Sequence, residues 1–457
     1  MERRFELRKE ALLEEAQVSP ALFSGSLERL EAFVEPFASK LVRSEQRRHA
    51  WEFISGLVSD LDRKNTESIA YRHDQDRKEL QHFIGQSSWD HRPLILELAQ
   101  QVGQQLGRAD GVIVFDPSGH PKKGTESVGV QRQWCGRLGK VDNCQVGIYL
   151  GYVSAEEHAL VNTRLYLPRE WATDKARRKK CHVPPEVRFQ TRHELALDML
   201  DEVGHLLPHA WIAGDDEMGR SSSFRRKLRS RGERYLLAVP SNTLVRDLDA
   251  TPPEYSGKGR KPKTPFVRVS RWREALPEEA WTKIDVRDGE KGPLVVEMAK
   301  CPVEAKTDGR RVGPQELLVV IRVKDEQGNL KHDDYLSSAP PDTSLEELAR
   351  VAKAEHRIEE CLQRGKSEAG LSDYEVRSWP GWYHHQTLSL LAAWFLVTET
   401  RRGKKIHSGD HGPTGPRGDR AVIAFRLPVR WAHATGPRTH SPSRTKSART
   451  LLSPQTT

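Results

Sequence analysis

GVIVFDPSGHPKKG, residues 111–124, is the stretch on which the fold turns. Before it, apolar residues recur at three- and four-residue steps; from it onward, short apolar runs take over. Val112–Phe115 is such a run, closed by Asp116, and Cys144–Val153 and Leu160–Leu167 read as two further strands. Arg192–Leu207 has helical spacing, Ala210–Ala213 is a buried strand ending at Asp215, Phe224–Arg231 is a basic helix, and Tyr235–Val239 is another strand. Three consecutive strands, then helix, strand, helix and strand, predict an α/β layer structure with a mixed sheet and flanking helices.

Working outward, residues 1–106 predict helices. Leu27, Leu30, Phe33, Val34 and Phe37 form one stripe behind a Ser26 cap, with Pro36 kinking or ending that helix. Trp51, Phe53, Ile54, Leu57, Val58 and Leu61 form a second stripe, and residues 93–106 a third helix. Core packing accounts for stripes of this kind. On the other side, 243–342 reads as a β-rich insertion, with strand-like pieces at Thr282–Val286, Leu294–Met298 and Leu317–Val323 and a Gly-Asn turn at 328–329. A long helix follows from Ser344, where Glu347 completes a capping box, to Gly370, and a last apolar helix covers Thr387–Val397. The chain thus divides into a helical region (1–106), an α/β core (107–242 and 343–402) split by the insertion (243–342), and a basic tail (403–457). The tail, rich in Gly, Pro, Ser, Thr and Arg, has the composition of a disordered segment and breaks abruptly from what precedes it, as a replaced or out-of-frame C-terminus would.

Charge narrows the function classes. The 457 residues carry 73 Lys and Arg against 64 Asp and Glu, a net of +9. Residues 401–457 hold 12 of the basic and 2 of the acidic side chains, so residues 1–400 stand at 61 minus 62, or −1. A uniformly basic coat is excluded, and any polyanion site in the body must come from local clusters. Five cysteines, odd in number and without CxxC spacing, argue against a disulfide framework and a structural zinc site. The longest apolar run, Leu388–Val397, is far short of the ~20 residues that span a bilayer. With no apolar signal region at the N-terminus, a cytoplasmic, nucleoid-associated protein is expected.

Three acids carry the chemistry. Asp116 and Asp215 end strands and Glu359 lies on the long helix, so distant carboxylates can converge. Two divalent cations held there could activate a water or a 3′-hydroxyl and stabilise a leaving oxygen. Spacing alone equally allows surface charges and caps. On that helix Leu348, Ala352 and Leu362 share the face of Glu359, which turns that carboxylate toward the core, and Lys366 lies within ~20° of it. A buried structural Glu359–Lys366 or Glu359–Arg pair is the alternative.

The stretch DPSGHPKKGTESVGVQRQWCGRLGKVDNCQVGIYLGY (116–152) resembles the first catalytic block of bacterial insertion-sequence DDE transposases, in the branch with Asp-x-x-Gly-x-Pro-Lys-x-Gly followed by Ser-Val-Gly-Val and Asn-Cys-Gln-Val-Gly. LYLPREWATD (165–174) continues the match, WIAGDDEMG (211–219) resembles the second-Asp block, and RIEECLQRGKSEAGLSDYEVRSWPGWYHHQTLSLLA (357–392) the Glu-helix block. RKNTESIA (63–70) and LQHFIGQSSWD (80–90) resemble the family's helical N-terminal region. The resemblance, over residues 45–400, implies an RNase H-like core that binds terminal inverted repeats, cuts the DNA ends and joins them to target DNA with two Mg²⁺ or Mn²⁺, as a homodimer on DNA and without small-molecule cofactor. It implies Asp116, Asp215 and Glu359 as catalytic and metal-holding residues. Trp211 and Gly219 select Asp215 over Asp216, and Lys366 fits the Lys that follows the Glu at seven residues. The wider superfamily's Tyr and Arg before the Glu are here Ala352 and Glu355. A nuclease without strand transfer and a catalytically inactive DNA-binding derivative are the competing readings.

Basic clusters supply candidate DNA contacts: Lys122 and Lys123 after the first Asp, Arg178 and Lys179 in KARRKK (175–180), and Arg225 and Arg226 in RRKLRSRGER (225–234), with Lys366 as a phosphate holder. Each cluster could also be a solvated face. The loop at 258–263 and Arg268, Arg271 and Arg273 suggest that the insertion touches DNA; Trp272 suits either the insertion's core or a flipped base. His384 and His385 suit helix-end packing or DNA contact, and Cys135 and Cys144 the core.

Overall fold

The computed structural model describes residues 24–408 apart from 290–291 and 325–326. The expectations for residues 1–23 and for the tail beyond 408 lie outside the described residues. Among the described residues, five helices come first: α1 (Ser26–Ala38), α2 (Ser44–Leu57), α3 (Thr66–Arg72), α4 (Arg77–Gly85) and α5 (Arg92–Leu106). Leu30, Val34 and Phe37 are buried on α1, and Phe53, Ile54 and Leu57 on α2, as their spacing predicts. Gly25, not Ser26, caps α1, and Pro36 sits inside its last turn without ending it.

Four strands follow: β1 (Val112–Pro121), β2 (Gln131–Cys135), β3 (Lys140–Val153) and β4 (His158–Leu165). The remainder of the first half is α6 (Arg169–Thr173), α7 (Lys175–Lys180), α8 (Arg192–Val203), β5 (Trp211–Gly214), α9 (Asp216–Gly219), α10 (Ser222–Ser230) and β6 (Tyr235–Ala238). Residues 243–342 supply β7 (Leu244–Asp247), β8 (Val267–Arg268), α11 (Val269–Glu274), β9 (Thr282–Gly289), β10 (Gly292–Lys306), β11 (Val312–Lys324) and β12 (Leu330–Ser337). The chain returns through α12 (Leu345–Ala352) and α13 (Ala354–Glu368) and ends in α14 (Trp379–Ser408).

The twelve strands of the described residues form one mixed sheet, ordered β2-β3-β1-β5-β6-β12-β11-β10-β7-β8, with β4 on β3 and β9 on β10. The pairs β1–β5 and β5–β6 are parallel; the other pairs are antiparallel. The expected insertion is therefore β-rich but not a separate sheet. Its β12 lies antiparallel to β6, Leu336 opposite Leu237, and so continues the core sheet. Val245, Trp272, Val303, Leu318 and Val320 build a satellite core on it.

Two expectations are corrected. The helix from Ser344 is broken: Lys353, with φ −79° and ψ −8°, separates α12 from α13. Ser344 does cap α12, accepting from the Glu347 amide at 3.2 Å, but the Glu347 carboxylate accepts from the Trp211 indole at 2.8 Å. The last helix is also longer than its apolar run. Apolar residues of α14 join those of α1, α2 and α5 and the face of the sheet in one continuous core.

Candidate active site

The site grows from sheet register. Phe115 on β1 stands opposite Gly214 on the parallel strand β5, so the next residues, Asp116 and Asp215, lie side by side at roughly the 4.8 Å spacing of neighbouring strands. Asp215 leaves the sheet there, but Asp116 does not end its strand as expected: β1 runs on to Pro121 along β3, with Asp116 opposite Tyr149. Asp215 then caps α9, its Oδ1 accepting from the Met218 amide at 3.0 Å. Asp216 is exposed and pairs with Arg220 at 2.8 Å, which leaves Asp215 as the acid facing Asp116. Gly219 is dictated by packing: a Cβ there would sit 1.8 Å from the Ala238 carbonyl oxygen.

Helix α13 crosses above β1, β3, β4 and β5. It lands where Gly151 on β3 leaves room for Ile358; a Cβ at 151 would lie 2.3 Å from the Ile358 Cδ1. Ala354, Ile358, Cys361, Leu362 and Gly365 form its buried stripe. At ~100° per residue, Glu355, Lys366 and Glu359 fall in that order along one flank of the stripe, within about 40° of one another. Lys366 is the cation on this flank, donating to the Ser118 Oγ at 2.7 Å, two residues beyond Asp116.

Glu359 does not face the core. Its side chain is 57% exposed and pairs with His356 at 3.1 Å, which raises that imidazole's pKa. The break at Lys353 is the physical cause, because helical phase cannot be carried from Leu348 and Ala352 across it. One turn earlier, Glu355 is half-buried and turned toward the two aspartates. Arg357 points elsewhere, to the Ser154 carbonyl at 3.1 Å.

The electrostatics are those of crowded acids. Burial, then the charges of Asp215 and Glu359, push the Asp116 pKa up to about 8, with Lys366 opposing. Burial pushes Asp215 up to about 7, against the stabilising Met218 amide. Glu355 is held well above the usual carboxylate range by burial, then by Asp215, Asp116 and Glu359. Lys366 is lowered by burial, with Asp116 opposing. Half-buried carboxylates this short of cations fit hard divalent ions, which take oxygen ligands. Among the described residues, however, no three His, Cys, Asp or Glu side chains gather closely enough to hold an ion. The donor chemistry fits and the arrangement is open.

The other candidates divide. Arg225 is buried, paired with Glu316 at 2.8 Å, and has no face left for a phosphate. Arg178 is spent on the carbonyls of Pro184 and Val187, at 2.8 and 2.9 Å. Lys122 lies 3.4 Å above the Tyr374 ring and donates to the Tyr374 carbonyl at 3.1 Å; burial lowers its pKa to about 8. These three support the fold, whereas Lys123, Lys179 and Arg226 are exposed. Trp272 belongs to the satellite core, its indole donating to Asp247 at 2.7 Å. His384 bonds the carbonyls of Ile84 and Trp89, and His385 that of Gly370, each at 2.9 Å, so both serve packing. Cys135 and Cys144 are buried. Glu355 is the functional candidate that spacing missed; its signal was an acid where the resembled family places an arginine.

No helix of the described residues is long and apolar enough to cross a membrane. The "DDE superfamily endonuclease" family profile matches residues 36–293, a span that includes Asp116 and Asp215 and ends before α12. The chain is 26% identical over 331 residues to a "Probable transposase for insertion sequence element IS701" from Microchaete diplosiphon, covering 71% of this chain and 76% of that protein. A solved piggyBac transposase synaptic complex with hairpin DNA aligns with 84% of this chain and 70% of its own, at 12% identity and a TM-score of 0.40, too low to bear on the fold. The match over more than half of its length places the chain in the DDE endonuclease superfamily, and the resemblance to insertion-sequence transposases read from its sequence stands.

Proposed function

We propose that this protein is a DNA transposase. It binds the terminal inverted repeats of its insertion sequence, cleaves the DNA ends, and joins the 3′-hydroxyls to target DNA. The catalytic layer, β1–β6 with α8, α10 and α13, is read as an RNase H-like core and the N-terminal helices as part of the end-binding surface. The parallel register that sets Asp116 beside Asp215, with Lys366 held over Ser118, carries this reading.

Asp116 and Asp215, with Glu359 from above, would hold two Mg²⁺ or Mn²⁺ ions, and Glu355 stands among them. Such ions, when bound, supply activation of the attacking oxygen and neutralise charge on the leaving one. The chain's own residues do the rest. Asp215 is oriented by the Met218 amide, Lys366 is aimed by Ser118 toward a phosphate lying over Asp116, and exposed Lys123, Lys179 and Arg226 contact the backbone. Two ends must be held together, so a homodimer on DNA is the economical assembly.

The test is cleavage of a labelled element-end duplex with Mg²⁺ or Mn²⁺, with Glu359→Gln alongside and target DNA added. Metal-dependent cutting lost in the variant, with joined products, supports a transposase. Cutting without joining marks a nuclease, and binding without cutting an inactive derivative.

A further inference from the structure

The β2–β3 hairpin stands at one end of the sheet path, with β2 its last strand. Alternation turns Cys135 inward, where it is fully buried, and Trp134 outward, where it is 54% exposed. Val141, opposite Trp134 in register, is 52% exposed, and Leu138 at the tip is 42% exposed. Three large apolar side chains thus face solvent on an edge hairpin, an arrangement that invites association unless it has a partner.

The surroundings say which partner. Residues 131–142 carry Arg132, Arg137 and Lys140 against one acid, Asp142, which pairs with Lys140 at 3.2 Å. Arg132 shares the face of Trp134, two residues away. Opposite Arg132, Asn143 donates to the carbonyls of Lys122 at 2.6 Å and Gly124 at 2.9 Å. That fastens the 122–124 loop, with exposed Lys123, beside this face. Behind it, the hairpin rests on the catalytic strand: a Cβ at Gly119, three residues past Asp116, would sit 2.7 Å from the Cys135 Sγ. The Arg137 charge reaches Lys366. An exposed indole on a hairpin that carries cations, with β3 between its strand and the one that bears Asp116, suits an unpaired base whose flanking phosphates meet the cations.

We propose that the Trp134 face of this hairpin receives an unpaired base at the processed DNA end, stacked on the indole, with Lys123, Arg132 and Arg137 on the adjacent phosphates. This rests on the DNA-processing reading above. The probe is a duplex with a short 3′ overhang bearing 2-aminopurine at its first unpaired position, compared with the same duplex fully paired. The protein quenches the overhang fluorophore, Trp134→Phe retains the quench, and Trp134→Ala abolishes it. Trp134→Ala also weakens overhang binding about tenfold while paired-duplex affinity and thermal stability stay put. Quenching by Trp134→Ala equal to that of the unsubstituted protein overturns the proposal. So does an unchanged quench with loss of self-association in sedimentation, which would make this face a contact between two copies. Failure of the unsubstituted protein to bind either duplex would overturn the DNA reading and this inference with it.

Discussion

Asp116, Asp215, Glu355 and Glu359 lie within reach of one another's charge, without closing on a common point, and Lys366 is the cation acting most on Asp116. The two glutamates should separate on substitution. Glu355 is half-buried among acids, so Glu355→Gln relieves repulsion and raises the metal-free Tm by roughly 2 °C; it also reduces the stabilisation that Mn²⁺ confers. Glu359 is solvated and paired with His356, so Glu359→Gln leaves the metal-free Tm within about 1 °C while abolishing cleavage. Differential scanning fluorimetry with and without Mn²⁺ reads both, and equal metal-free shifts would refute the asymmetry. The same crowding sets a pH dependence. In the unfolded chain these aspartates titrate near 3.8; in the fold Asp116 titrates at about 8 and Asp215 at about 7. Across that window the folded protein holds protons the unfolded chain has released, so metal-free stability falls as pH rises from about 4 to about 8. A bound cation must displace those protons, so Mn²⁺ stabilisation grows over the same range. Asp116→Asn flattens both trends, and a metal-free Tm that climbs from pH 5 to 8 would contradict them.

At the scale of elements, the site depends on close approaches that single atoms can spoil. Gly219→Ala would drive a Cβ into the Ala238 carbonyl on β6, moving α9 and the Asp215 that caps it. The expected cost is about 2 kcal/mol in urea denaturation, with metal-induced stabilisation lost as well; an unperturbed variant would show that α9 slides freely. Legibility varied with how local each determinant is. Val112–Phe115 before Asp116, and Trp211-x-x-x-Asp215-x-x-x-Gly219, are contiguous signals; the two apolar runs pair in the register of β1 and β5, but β1 continues past Asp116 to Pro121 because β3 pairs with it there. β2 and β12 escaped notice because they are short or charged, and their partners β3 and β6 confer their strand character. The interruption at Lys353 has neither Pro nor Gly to announce it, so a helical phase carried through it turned Glu359 inward and passed over Glu355. Basic runs could be seen in the sequence, but not which arginines the fold would consume; Arg225 went to Glu316 and Arg178 to carbonyls.

At the scale of the whole molecule, the N-terminal helices and the sheet are one body, because α14 is wedged between them. Phe33 of α1 meets Phe395 at 5.2 Å between ring centroids, and His384 stacks on Trp89 at 3.8 Å. Arg29 reaches Glu399 at 2.7 Å, and Ser378 donates to the Gly85 carbonyl at 2.8 Å. On its other side α14 packs against β4, and Gln386 accepts from Tyr149 of β3 at 2.8 Å. Removing residues 1–106 would therefore strip one wall from the main core. Exposing Leu388, Leu391, Trp394 and Phe395, fully buried here, costs about 1.5–3 kcal/mol each. Their sum is on the order of the 5–15 kcal/mol that holds a domain together. A chain beginning at residue 107 is thus expected to be insoluble, or to show no cooperative unfolding transition, even though it retains Asp116, Asp215 and Glu359. Circular dichroism melts of that fragment beside a chain beginning at residue 24 decide the matter. A cooperative melt from the shorter one would mean that the helices are a detachable module, whereas its absence would mean that whatever DNA the helices grip is held by the same rigid body that carries the aspartates.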